Sequence, residues 1–165
     1  MFKKWITYLF IGILFGGLPV PKTVGAFDPA DVLTVGMAFL TNLSVHESAH
    51  YIVANQAGAS GNRIQFFSEK NGNFFFGLST VDAIDPRYKL AYNMAGEFAT
   101  DILFDCALDE YQKDPTLYTK SLLFFSGTDF LWYSLYAFYL SPEKDPMYDP
   151  IGIAKGTGLS HDVIF

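Results

Sequence analysis

The chain is poor in cysteine, in positive charge and in charge of either sign. A single cysteine, Cys106, in 165 residues excludes an intrachain disulfide. A packed core, a metal or a bilayer must then supply the constraint that disulfides give many exported proteins of this size. Eleven Lys and Arg stand against 17 Asp and Glu, and the pI is near 4.8. No cationic footprint remains to neutralise phosphates, which excludes a nucleic-acid binder. Charged residues make up 17% of the chain, against about 25% in ordinary soluble proteins. Apolar side chains take their place: 50% of residues are hydrophobic, with 17 Phe, 10 Tyr and 2 Trp. That much apolar surface excludes intrinsic disorder, and the length fits one domain. An envelope or membrane protein, or an unusually apolar compact domain, is what these absences leave.

The N-terminus follows a tripartite export pattern. Met1 to Lys4 is basic, Trp5 to Val20 carries no charge, and Val24-Gly25-Ala26 offers small residues to a signal peptidase. Residues 1–26 are therefore expected to be a signal peptide, with an uncleaved N-terminal anchor as the rival reading. Residues 27–165 form the expected single domain. The expected location is exported: bacterial periplasm, secreted, or membrane-associated.

Local chemistry then predicts the elements. Asp28-Pro29 is a helix start, and Gly58 a stop, for a helix running to about Gln56. Its first half, Val32 to Val45, is apolar enough for a bilayer or for a core, and periodicity does not separate the two. Asn71-Gly72 between Arg63–Ser68 and Phe74–Val81 signals a β-hairpin, because both residues tolerate positive φ. Asp85-Pro86 closes that unit. Tyr88 to Leu108 reads as a helix with Asn93, Glu97, Asp101, Asp105 and Asp109 in one drifting stripe, which must face water, a cavity or a cation. Cys106, in step with Phe98 and Ile102, reads as an inert buried thiol. A helix from Leu117 to Phe125 is expected to break at Ser126-Gly127-Thr128-Asp129. The aromatic run Phe130 to Leu140 reads as core or lipid-facing packing. Asp149-Pro150 reads as the cap of a last short helix ending at Gly156, and Asp145 with Asp149 as a plain turn rather than a calcium loop. The fold class expected is α+β and mainly helical: one long motif helix, a hairpin, and two to three further apolar or aromatic helices.

Two of only three histidines fall in His46-Glu47-Ser48-Ala49-His50. Positions i and i+4 share a helix face, so both imidazoles can ligate one ion. Glu47, next to the first ligand, can reach a metal-bound water as general base. The third histidine, His161, lies near the chain end and reads as exposed.

The run His46-Glu47-x-x-His50, then Tyr51-Ile52-Val53-Ala54 and Gly58, resembles the motif helix of zincin metallopeptidases. The layout is most similar to the site-2-protease type and to membrane-bound ATP-dependent zinc proteases. The hairpin Arg63 to Val81, Ala95-Gly96 in a helix and a later Asp occur there in similar order, so the likeness covers about Val32 to Leu140. Only the five-residue motif is specific. The resemblance implies a zinc ion (Zn2+), a peptide or protein substrate, and a carboxylate as third ligand. Site-2-type enzymes take an Asp from a downstream segment, and Asp129 occupies a similar place without the usual Asn-Pro-Asp-Gly or Leu-Asp-Gly context. Gluzincins use Glu-x-x-x-Asp on a second helix, and Glu97-Phe98-Ala99-Thr100-Asp101 has that form. The expected metal set is thus His46, His50 and Glu97, with Asp129 as rival and Asp101 orienting a ligand histidine. Asp129 otherwise reads as a helix N-cap, and Glu97 with Asp101 as part of a solvated stripe. Phe74, Phe75 and Phe76 are the expected edge strand for an extended substrate.

The function expected on this reading is a zinc-dependent endopeptidase of the cell envelope. Two alternatives stay open. One is a non-catalytic envelope or membrane protein with a structural metal site; the other is a protein that binds partners through its aromatic helices.

Overall fold

The computed structural model describes residues 28–70, 72–141 and 147–165. The expected signal peptide or anchor at 1–26, and Asp145, lie outside the described residues. The chain divides into two units, Met1–Val32 and Leu33–Phe165. Of the first, only residues 28–32 are described: the Asp28 carboxylate accepts the Ala30 N–H at 2.9 Å and begins a helix. Every contact below lies within the second unit.

The fold is mainly helical with one antiparallel hairpin, the α+β class expected. Helix α1, Pro29–Gln56, ends where Gly58 takes φ +67° and the Ala59 N–H turns back to the Ala54 carbonyl at 2.9 Å. That left-handed position suits glycine because no Cβ opposes it. The buried residues of α1 are Val35, Ala38, Asn42, His46, Glu47, His50 and Ala54. Its inward face is therefore polar over two turns, and burial of that kind demands partners.

Strands β1 (Arg63–Lys70) and β2 (Asn73–Thr80) form the hairpin. Lys70 pairs with Asn73, so the turn has two residues, and Gly72 takes φ +74°. The Asn71-Gly72 expectation holds at Gly72; Asn71 is outside the described residues. Helix α2 spans Pro86–Lys113, longer at both ends than the sequence suggested. The Asp85 carboxylate accepts the Arg87 N–H at 2.9 Å, and Pro86 occupies the first turn, where a missing N–H costs nothing.

Helix α3 runs unbroken over Leu117–Leu135 and continues into a π-helical turn at Tyr136–Leu140. The expected break at Ser126–Asp129 does not occur. Ser126 and Thr128 return their hydroxyls to the Leu122 and Phe124 carbonyls, at 2.7 and 2.6 Å, a bond available inside a helix. Gly127 serves packing instead: a Cβ there would lie 2.9 Å from the Phe104 ring on α2. Asp129 is consequently mid-helix and is not an N-cap.

Helix α4, Asp149–Thr157, ends at Gly158 with φ +73°, two residues beyond the expected stop. A final turn, α5, covers His161–Ile164. Tyr148 is the N-cap of α4, so Asp149 is released from capping. Helix α2 packs against α3 and α4. One core cluster joins β2 to the C-terminal elements through Phe75, Leu78, Ala137, Phe138, Tyr148 and Ile151.

Cys106 corrects the reading of α2. It is exposed, and its neighbours Phe98 and Ile102 are 58% and 64% exposed. The face that packs is made of Asn93, Ala95, Gly96, Thr100 and Ala107, small or polar residues that let helices approach closely. Among the described residues, no helix is long and apolar enough to cross a membrane.

Candidate metal centre

Helix periodicity puts Asn42, His46 and His50 one turn apart along α1, and three other helices meet that stripe. His50 directs Nδ1 at the Tyr92 carbonyl of α2, 2.6 Å away. A carbonyl only accepts, so Nδ1 carries a proton and Nε2 is the nitrogen that faces the interior. His46 directs Nδ1 at Oδ2 of Asp129 on α3, 2.9 Å away, and Asn42 Nδ2 donates to the other Asp129 oxygen at 2.9 Å. The carboxylate thus fixes which nitrogen of His46 faces the interior, as carboxylate partners of metal-ligating histidines do.

Both Nε2 atoms point to Asp149 in the first turn of α4. Its Oδ2 is 3.3 Å from His46 Nε2 and 3.2 Å from His50 Nε2. Ligands about 2.0–2.1 Å from a tetrahedral ion are about 3.3 Å apart, so these separations match a shared metal. His50 supplies the sharper sign. Its Nε2 is sealed from solvent and makes no well-aligned hydrogen bond, although the Asp149 carboxylate lies 3.2 Å away. A cation between an unprotonated Nε2 and that carboxylate would satisfy both at once. His46, His50 and Asp149 are all buried, and their donor atoms lie within 4.8 Å of one another. The three residues fit a metal ion.

The electrostatics agree with the geometry. Burial works to raise the Asp149 carboxyl, but the His50 and His46 imidazoles overcome it and lower its pKa to about 2. Burial works against charge on His46 as well, yet Asp129, aided by Asp149 and Glu97, holds its pKa well above 6.5. In the metal-free protein the two neighbouring carboxylates thus favour the charged form of His46. Its charge adds stability that is complete below about pH 6.5, the unfolded value, and is lost as pH rises through the folded one. A metal at Nε2 must displace that proton. Zinc affinity, read with a competing chelator, is therefore expected to fall about tenfold for each pH unit below the raised His46 value. An affinity that stays constant as pH falls from 6.5 to 5.5 would contradict it.

Glu47 lies over the hairpin. A Cβ on Gly77 of β2 would sit 2.5 Å from Glu47 Oε1, so the absence of a side chain there makes room for the carboxyl. Burial raises the Glu47 pKa, against the two imidazoles and a hydrogen bond from the Ser79 backbone N–H. A carboxyl whose pKa is raised toward the working pH is a better base than an ordinary one. Gly96 makes the matching space on α2: a Cβ would lie 2.4 Å from His46 Nε2, so alanine would drive into the ring.

The other expected residues are placed differently. Glu97 lies with His46 and Asp129, the donor atoms of these three within 4.8 Å of one another, whereas the group that contains His50 is completed by Asp149. Burial raises the Glu97 pKa well above its ordinary value, with Asp129, Asp149 and Asp101 adding to the effect of burial against His46. Asp101 is exposed, and the oxygen that orients His46 belongs to Asp129. Of the expected edge residues, Phe75 is buried and stacks on Tyr148 with ring centroids 5.3 Å apart. Phe76 packs edge-on against Phe39 of α1, and Phe74 is exposed beside it. Gly77 and Ser79 are the β2 residues that reach the motif. His161 is exposed, as expected, with its ring stacked on Phe138.

Sequence reasoning missed Asp149 as a member of the candidate metal site, and it missed two tyrosines. The Tyr133 ring meets His46 at 6.1 Å and the Tyr92 ring meets His50 at 5.2 Å. Burial, with Asp149 and Glu47 nearby, raises both phenols, Tyr92 to about 12 and Tyr133 well above its ordinary value. Both stay protonated at neutral pH and wall the centre with aromatic surface.

The chain matches no protein-family model, and comparison with curated proteins and with solved structures found no match.

Proposed function

We propose that the protein is a metal-dependent hydrolase, and specifically a zinc endopeptidase of the cell envelope. His46, His50 and Asp149 hold the ion, and Glu47 is the general base. The observation that carries the reading is the buried convergence of His46, His50 and Asp149, whose Oδ2 lies 3.3 and 3.2 Å from the two Nε2 atoms, beside a buried Glu47. Two imidazoles and one carboxylate suit zinc better than calcium or magnesium, which prefer oxygen throughout. Three protein ligands also leave a fourth position for water or substrate, as in catalytic rather than structural zinc sites.

When bound, the zinc would lower the pKa of a coordinated water toward ~7 and polarise a substrate carbonyl. The residues do the rest. Glu47 takes a proton from the attacking water and returns it to the leaving amine. Asp129 holds the His46 ring from its Nδ1 side, and the Tyr92 carbonyl does the same for His50, so both imidazoles keep one orientation through turnover. Strand β2, beside Glu47, has no strand partner on that side among the described residues. An extended peptide can pair there by backbone hydrogen bonds. A protein or peptide substrate, an exported location and contact with a membrane surface belong to this proposal; no nucleic acid does.

The test is cleavage of unfolded casein, followed by mass spectrometry of the products. Protein stripped with 1,10-phenanthroline is expected to be inactive, and activity is expected to return with stoichiometric zinc. Activity that survives complete removal of metal would overturn the proposal. So would a zinc-loaded, folded chain that cleaves neither casein nor a mixed peptide library.

A further inference from the structure

A second group of donors adjoins the first. His46, Glu97 and Asp129 each offer one ligand atom, all within 4.8 Å of one another. His46 is common to this group and to the one completed by Asp149, because its two ring nitrogens face Asp129 and Asp149 respectively. Both Glu97 carboxylate oxygens are sealed from solvent and have no hydrogen-bond partner among the described residues. Asn42, whose amide nitrogen bonds Asp129, leaves its Oδ1 buried and unpartnered as well. With Glu97 ionised, the unmet groups here are all acceptors. A water would bring only two protons, whereas a cation satisfies several oxygens at once.

Charge points the same way. Glu47, Glu97, Asp129 and Asp149 bring four carboxylates around two imidazoles. The Lys and Arg salt bridges lie elsewhere, at Arg63–Asp82, Arg87–Asp85 and Lys113–Glu110.

We infer that the protein holds a second divalent transition-metal ion, ligated by Glu97, Asp129 and Nδ1 of His46, so that the His46 ring bridges two ions. As the second ion binds, the Nδ1 proton leaves to solvent, and the imidazolate that remains is shared between the two cations. An imidazole nitrogen among the donors favours zinc-like ions over calcium or magnesium. The inference stands on the orphaned Glu97 and not on the peptidase reading, although both centres use His46.

The test is native mass spectrometry of the full chain titrated with zinc, with circular dichroism to confirm folding. Two zinc ions per wild-type chain are expected. Glu97→Gln, nearly isosteric, should hold one, Asp149→Asn should also hold one, and the double variant none. Asp129→Asn reads the second ion independently, since an asparagine oxygen still accepts from His46 Nδ1, and it should also hold one. A single zinc in wild type that persists in Glu97→Gln would overturn the inference, and so would loss of both ions in Glu97→Gln from a wild-type chain that holds two. A wild-type chain with one zinc, kept in Asp149→Asn and lost in Glu97→Gln, would remove the first centre and leave this one standing.

Discussion

Asp149→Asn is expected to abolish the metal centre between His46 and His50. The asparagine keeps the shape of the side chain and its place in the first turn of α4, so the fold around it has no steric reason to change. The negative oxygen that lies 3.3 and 3.2 Å from the two Nε2 atoms is lost. Loss of a partner that only orients a ligand costs about 10–100-fold in metal affinity, and loss of a ligand itself should exceed that. Metal-free protein should lose stability as well, because His46 keeps its charge in a buried site with one carboxylate fewer. Breaking a buried pair on one side costs about 3–5 kcal/mol. Asp149→Asn should therefore bind zinc at least about 100-fold more weakly at this centre, and its metal-free form should unfold at lower denaturant than metal-free wild type. Wild-type zinc affinity in this variant would show that Asp149 is no ligand.

Glu47→Gln separates chemistry from metal binding. The glutamine fills the same space over Gly77 and can still accept the Ser79 N–H, so neither packing nor the imidazoles should move. An amide cannot take the proton of the attacking water. General-base loss costs about 10²–10⁴-fold in turnover, or about 3–5 kcal/mol of barrier at 1.36 kcal/mol per decade. The expected result is a chain with wild-type zinc content and a casein cleavage rate reduced by at least about 100-fold. A variant that cleaves at the wild-type rate would remove Glu47 from the mechanism and favour a structural metal site.

The parts legible in the sequence were those decided by neighbours in the chain. His46, Glu47 and His50 share a face because a helix has 3.6 residues per turn. Gly58, Gly72 and Asp85-Pro86 mark a stop, a turn and a start for reasons of backbone conformation alone. Asp149 lies 103 residues from His46, and an Asp-Pro at a helix start already has a sufficient local explanation in capping. Nothing in the sequence shows that Tyr148 takes the cap and frees the carboxylate for the interior. Ser126-Gly127-Thr128-Asp129 has the composition of a break, but its glycine is set by the Phe104 ring across the α2–α3 interface, and its hydroxyls are satisfied within the helix. The apolar stripe of Cys106 misled for a related reason. Helix α2 packs through Ala95, Gly96 and Thr100, where close approach to the His46 ring matters more than apolar area.

The central claim is that one metal ion sits between His46, His50 and Asp149. Anomalous diffraction at the zinc edge, on crystals of the zinc-loaded full chain, tests it most directly. The account predicts a peak about 2.0–2.2 Å from both Nε2 atoms and from an Asp149 oxygen. Fully loaded crystals with no peak there, or with His50 Nε2 bonded to a protein donor instead, would contradict it.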